Sequence, residues 1–141
     1  MDEGKSVARS FRLSSVTARL LDSETKISRQ SRNALADRLL GEALRLEHHP
    51  MIRFHESDAR RRRALVAGTR LYVFQIIATL REHDGSIDDT AVYFDVSPRL
   101  VRAALDYYAD FPDEVEADLD EAQETAESER LRWERQQRAL S

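Results

Sequence analysis

The segment that most constrains the fold of this chain is a short alternating run near its N-terminus. In residues 7–13, the apolar side chains of Val7, Phe11 and Leu13 fall on one face of an extended strand. Two helices are predicted directly after this strand. One strand with two helices cannot close a core, because both edges of the strand stay unpaired. The sequence therefore predicts that the strand pairs with its copy in a second chain.

The two predicted helices are read from caps and apolar spacing. Ser14 suits the N-cap of the first helix, in which apolar residues recur at helical intervals. A break is predicted at residues 26–28, with Ser28 as the N-cap of a second helix that ends near Pro50. The apolar face of the second helix comprises Leu35, Leu39, Ala43, Leu44 and Leu46.

This order of elements, together with the run Phe11-Arg12-Leu13-Ser14 and Ser28 as the start of a helix, resembles the ribbon-helix-helix family of DNA-binding dimers over residues 6–47. The resemblance implies an intermolecular two-stranded ribbon that enters the major groove and reads base edges with its outward side chains. The alternative is a surface strand on an ordinary small domain. The DNA-binding residues implied by position are Ala8, Ser10 and Arg12 as readers, with the backbone amides of Ser28 and Arg29 holding a phosphate.

Charge is distributed unevenly along the chain. Residues 1–70 carry 15 Lys/Arg and 9 Asp/Glu, whereas residues 71–141 carry 7 and 17. Nine carboxylates and no Lys or Arg fall within residues 113–129. A basic front and an acidic tail predict an adaptor between nucleic acid and a protein.

A second module is predicted in the middle of the chain. Residues 51–70 favour a short β-hairpin, in which the arginines of residues 60–63 form a solvated face or, as the less favoured reading, contact phosphate. Three helices follow, with Ser86 and Ser97 as N-caps and with helix-turn-helix spacing between the last two. Because the cations of the third helix are offset by carboxylates, we favour a packing or dimerising role over DNA reading.

Residues 50–116 are similar to a homeodomain-like domain of unknown function. The similarity rests on His49-Pro50, on the arginine run before Ala64, on Val96-Ser97-Pro98 and on Tyr107-Tyr108 before Pro112. Such modules occur in bacterial antitoxins of the VapB-like, type II toxin–antitoxin class, which are encoded beside PIN-like ribonuclease toxins. A departure is Ala59, where family members often have glycine, so the hairpin turn is expected to differ.

The C-terminal segment predicts one uninterrupted helix, since residues 113–141 contain no Gly or Pro. Its apolar residues are sparse and its acidic face repels itself, so we expect a helix that is frayed when free and ordered when bound. A solvated charged helix or an intermolecular coiled coil is the alternative. The residues predicted to contact a toxin are Val115, Leu119, Ala122, Ala126, Arg130, Arg132, Trp133, Arg135 and Leu140.

The toxin implied by the resemblance holds Mg²⁺ with clustered carboxylates and has a basic rim for RNA. The acids of residues 113–129 would cover that rim, and one arginine among Arg130, Arg132 and Arg135 would enter the acidic pocket and displace the metal.

Several other functions are not expected. The four histidines lack zinc-motif spacing, and there is no nucleophile elbow or phosphate loop, so we expect no enzyme activity, no metal and no cofactor. The apolar runs are too short to cross a membrane, and no cysteine is present, which fits a cytoplasmic protein.

The sequence thus predicts a mainly α protein in three parts. Residues 1–48 form a ribbon-helix-helix unit for DNA binding and dimerisation, residues 49–111 a hairpin with a homeodomain-like three-helix module, and residues 112–141 an acidic toxin-binding helix. The predicted function is an antitoxin that neutralises a PIN-like ribonuclease and represses its own operon as a homodimer bound to operator DNA. A stand-alone dimeric transcriptional regulator with an oligomerising tail is the alternative, and an interaction scaffold without DNA binding is a third possibility.

Overall fold

A computed structural model describes residues 5–57 and 61–141 of the chain. The fold is mainly helical, with a small two-stranded antiparallel sheet and a long C-terminal helix, as predicted. The chain divides into two compact units, Met1–Ala43 and Leu44–Ser141, which are considered separately. In chain order the elements are α1 (Ser15–Ser28), α2 (Arg32–His48), β1 (Ile52–Glu56), β2 (Arg62–Val66), α3 (Val73–Glu82), α4 (Ile87–Phe94), α5 (Pro98–Asp110) and α6 (Pro112–Leu140).

The predicted N-cap of α1 is confirmed, whereas that of α2 is wrong. The Ser14 hydroxyl accepts the N–H of Thr17 at 3.2 Å. Helix α1 continues to Ser28, and α2 begins only at Arg32, where the hydroxyl of Ser31 accepts the N–H of Ala34 at 3.1 Å. Both serines have capping chemistry, but the left-handed Arg29 (φ 57°) terminates α1 and moves the start of α2 to the second serine.

The N-terminal unit buries little apolar surface within one chain. Residues 5–14 form no strand in this single chain, so the ribbon between two chains stays a prediction. Leu35 is the one large apolar side chain that is fully buried among the described residues of this unit. The large apolar side chains that stay 40–75% exposed are Val7, Phe11, Leu13, Val16, Leu20, Ile27, Leu39 and Leu40.

The predicted hairpin is confirmed. Strands β1 and β2 pair antiparallel, with Ile52 opposite Val66 and Phe54 opposite Ala64. The side chains of Ile52, Ala64 and Val66 are buried in the core of the second unit. Arg60, the first member of the predicted arginine run, lies outside the described residues.

The three predicted helices are also confirmed, together with their caps. Ser86 accepts the N–H of Asp89 at 3.1 Å, and Ser97 accepts that of Arg99 at 3.3 Å. The core that they share with the hairpin contains an apolar stripe of α3, namely Val73, Ile76, Ile77 and Leu80, together with Ala91, Val101, Ala104, Tyr107 and Val115.

Helix α6 has two different environments along its length. We call residues 112–122 the docked segment, because it packs on α3 and α5 and buries Val115. We call residues 123–141 the exposed segment, in which every residue except Glu134 is exposed. The docked segment thus contributes apolar side chains to the core of the second unit, and the expectation that the free helix is frayed stays a prediction.

Candidate functional site

A cluster of ion pairs joins the docked segment to the hairpin. Arg61 contacts Asp118 at 3.0 Å and Glu121 at 2.9 Å, and Arg63 contacts the same two carboxylates at 3.5 and 3.2 Å. The guanidinium of Arg63 also lies 5.0 Å from the centre of the Phe74 ring. We call Arg61, Arg63, Asp118 and Glu121 the arginine–carboxylate cluster.

This cluster changes the interpretation of the arginine run. The side chain of Arg63 is only 10% exposed and that of Asp118 only 9%, so the predicted solvated face is wrong at Arg63. Burial raises the pKa of the Asp118 carboxyl, although the charges of Arg61 and Arg63 act in the opposite direction. Since both arginines already hold carboxylates, phosphate would have to compete with a contact inside the chain.

Two further carboxylates of the docked segment, Glu114 and Glu116, also have partners in other elements of the second unit. Glu114 forms an ion pair with Arg45 and accepts the hydroxyl of Tyr107 at 2.7 Å. Burial, followed by the hydrogen bond to Glu114, raises the pKa of the Tyr107 hydroxyl. With Glu116, four of the nine acids of residues 113–129 have partners outside α6.

Glu116 is the fourth of these carboxylates. It forms an ion pair with Arg81 and accepts the hydroxyl of Tyr108 at 2.6 Å. The hydrogen bond from Arg81, followed by that from Tyr108, lowers the pKa of Glu116. The acidic character of the docked segment is therefore largely used within the second unit.

The residues predicted to bind a toxin are divided between the two segments of α6. Val115 is buried, and Leu119 and Ala122 are partly buried in the docked segment, so they do not form a common accessible face with the rest. Ala126, Trp133 and Leu140 are exposed, with Trp133 at 60% and Leu140 at 82%.

The arginines around Trp133 differ in their partners. Arg130 contacts Glu127 and Glu134, each at 2.5 Å, within the same helix. Arg132, Arg135 and Arg138 are exposed and form no ion pair within the part of the chain that the structure describes. Of the predicted surface, Arg132, Trp133 and Arg135 are therefore accessible together with Ala126 and Leu140, and Arg138, which was not predicted, lies beside them.

Of the residues predicted to bind DNA, Ser28 and Arg29 lie elsewhere than expected. Ala8, Ser10 and Arg12 are exposed in the irregular segment before α1, and their contact with DNA stays a prediction. Ser28 is the last residue of α1, and Arg29 follows it in the left-handed conformation. The amides of these two residues are therefore not at the start of α2, and the predicted phosphate contact there lacks its helix N-terminus.

The outer surface of α4 and α5 adds features that the sequence analysis missed. Val92 and Tyr93 on α4 are 81% and 65% exposed, although they lie within an apolar stretch of the helix. On α5, Arg99 and Arg102 line a cavity of about 180 Å³ beside residues 48–52. Ile87, Ala91 and Phe94 form the inward face of α4, so helical spacing places Val92 and Tyr93 on its outer face, and this spacing could have predicted their exposure.

Comparison with known proteins identifies no relative: no protein family, curated protein or solved structure matches the chain. Within residues 5–57 and 61–141, no group of three His, Cys, Asp or Glu side chains could hold a metal ion. No helix in these two ranges is long and apolar enough to cross a lipid bilayer.

The arginine–carboxylate cluster yields a prediction about stability. Replacement of Asp118 by Ala removes the buried carboxylate that Arg61 and Arg63 share, so we expect the free energy of unfolding to fall by about 3 kcal/mol. Urea unfolding followed by circular dichroism measures this loss. Asp120→Ala, at an exposed position of the same helix, should change stability by no more than about 0.5 kcal/mol. Equal, small effects of both substitutions would contradict the role given to the cluster.

Proposed function

We propose that this chain is a VapB-like antitoxin of a type II toxin–antitoxin system. Its C-terminal helix binds and neutralises a PIN-like ribonuclease, and its N-terminal ribbon represses its own operon by binding operator DNA as a homodimer. The observation that carries the proposal is the exposed segment of α6. It presents Trp133 beside Arg132 and Arg135, which have no ion pair among the described residues, on a helix whose docked segment packs on the core.

The exposed apolar side chains of the N-terminal unit support the dimer. Covering a large apolar side chain contributes about 1.5–3 kcal/mol, and Phe11 at 68% and Ile27 at 75% exposure gain nothing of this kind within one chain. A second copy supplies both the missing apolar cover and a partner for the edge of the strand predicted at residues 7–13. In that arrangement Ala8, Ser10 and Arg12 lie on the opposite face, where base edges can be read.

The exposed segment of α6 supports partner binding. Trp and Arg together are enriched in the residues that dominate the energy of protein–protein interfaces. The planar guanidinium of Arg132 or Arg135 suits the clustered carboxylates with which a PIN-like ribonuclease binds Mg²⁺. Arg130 is a weaker candidate, because Glu127 and Glu134 already hold it.

The partners of the acids refine the proposed contact with the basic rim of the ribonuclease. Glu114, Glu116, Asp118 and Glu121 hold groups of the second unit, and Glu127 holds Arg130. Asp113, Asp120, Glu124 and Glu129 remain for the rim, so the RNA-like surface is narrower than the sequence count suggests.

A stand-alone dimeric regulator with an oligomerising tail is the second candidate. It is favoured by the docked segment, which serves the chain's own core and leaves only the exposed segment for association. Co-expression of the chain with the product of an adjacent reading frame separates the two functions, since only the antitoxin co-purifies with a ribonuclease.

The toxin contact is tested by the combined replacement of Arg132, Trp133 and Arg135 by Ala. Loss of a tryptophan at such an interface typically costs about 2 kcal/mol, or about 30-fold in affinity, so we expect the co-expressed ribonuclease to regain activity on RNA. The double variant Arg99→Ala/Arg102→Ala removes two exposed arginines elsewhere and should inhibit like the wild type. Full inhibition by the triple variant would refute the assignment of this surface.

The DNA contact is tested by Arg12→Ala in a mobility-shift assay with the DNA upstream of the chain's own reading frame. A lost bidentate contact to guanine costs about 1–3 kcal/mol, so we expect affinity to fall by about 10- to 100-fold. Arg19→Ala removes an equal charge from an exposed position of α1 and should weaken binding far less. If both variants bind like the wild type, the ribbon is not the DNA-reading element.

A further inference from the structure

The outer face of α4 carries apolar side chains that stay mostly exposed, although the Tyr93 ring contacts those of His83 and Phe94 at its edge. Val92 and Tyr93 are adjacent and mostly exposed. Asp88 and Asp89 lie one helical turn before them, so each carboxylate is a neighbour of one of the two apolar side chains. We call Asp88, Asp89, Val92, Tyr93 and the following Asp95 the α4 face.

The surroundings of the α4 face are acidic. Residues 82–98 contain five Asp or Glu residues and no Lys or Arg, and all five carboxylates are exposed. Of the two flanking arginines, Arg81 pairs with Glu116, and Arg99 lines the cavity beside residues 48–52. The α4 face therefore fits a segment that combines an apolar side chain with several cations.

The end of α6 has this complementary composition. Residues 130–141, here called the α6 tip, contain four arginines and one glutamate. Trp133 and Leu140 are exposed by 60% and 82%, and Leu131 by 41%. Of the four arginines, only Arg130 has an ion pair among the described residues.

The α6 tip does not cover the α4 face of its own chain. Trp133 and Tyr93 both remain exposed, and α6 is one unbroken helix that leaves the core after Ala122. Trp133 lies eleven residues beyond Ala122, which places it about 16 Å further along the helix axis. The rest of the second unit therefore cannot cover the tip without breaking the helix.

We propose that the α6 tip of one copy binds the α4 face of a second copy of this chain. Trp133 packs against Val92 and Tyr93, while Arg132 and Arg135 approach Asp88 and Asp89. This contact requires neither the proposed antitoxin function nor the N-terminal dimer. Any other protein that binds the tip competes with it, so self-association and partner binding exclude each other on this surface.

The contact is tested by exchanging charges between the two surfaces of the full-length chain. Arg132→Glu/Arg135→Glu reverses the tip, Asp88→Arg/Asp89→Arg reverses the α4 face, and a third chain carries all four changes. Because the surfaces are small, association is measured by analytical ultracentrifugation at roughly 10–500 µM chain. We expect each reversed surface to weaken association beyond the N-terminal dimer by about tenfold or more, and the chain with all four changes to regain it.

Trp133 supplies a second readout, because it is the only tryptophan of the chain and its emission reports on the surroundings of the α6 tip. Its emission should shift to shorter wavelength as the wild-type concentration rises, and Tyr93→Ser should abolish the shift without disturbing the first turn of α4. Emission that is independent of concentration in the wild type would overturn the proposal. Failure of the folded four-change chain to regain association would also overturn it and would point to a different partner for the α4 face.

Discussion

The structure of the second unit depends on the docking of α6 through its first three turns. Val115 enters the core, and Asp118 is drawn into the same interface between two arginines of the hairpin. A buried carboxylate is costly unless it is paired, so the arginines and the acid must come together for the helix to dock. This requirement fixes both the face of α6 that packs inward and the residue at which the helix leaves the core.

The docking also determines what the rest of α6 offers to a partner. An isolated acidic helix of this composition would be marginal in water, because the first turn is costly to form. In this chain the docked segment supplies that first turn, and the exposed segment continues a helix that already exists. A partner that binds around Trp133 therefore orders fewer residues than it would on a disordered tail, and less of the interaction energy is lost to ordering.

Local patterns predicted much of the fold. The pattern of residues 51–70, the serines before α4 and α5, and the absence of Gly and Pro after Pro112 in α6 each act within a few residues, and each prediction is confirmed. The docking of α6 was not predictable in this way, because Arg61 and Asp118 are distant in sequence and their pairing depends on the assembled core. Helical phase also decides that Tyr107 is fully buried while the adjacent Tyr108 is only partly buried. The strand predicted at residues 7–13 is not present in the single chain and stays a prediction, because its pairing would require a second chain.

The division of α6 into a docked and an exposed segment is the central claim, and amide hydrogen exchange of the isolated chain at low concentration tests it most directly. Amides of residues 115–122 should exchange as slowly as those of α3 and α5, with a sharp rise in rate beyond residue 123. Uniformly fast exchange from residue 112 to residue 140 would contradict the claim, because it would mean that α6 is not anchored to the core.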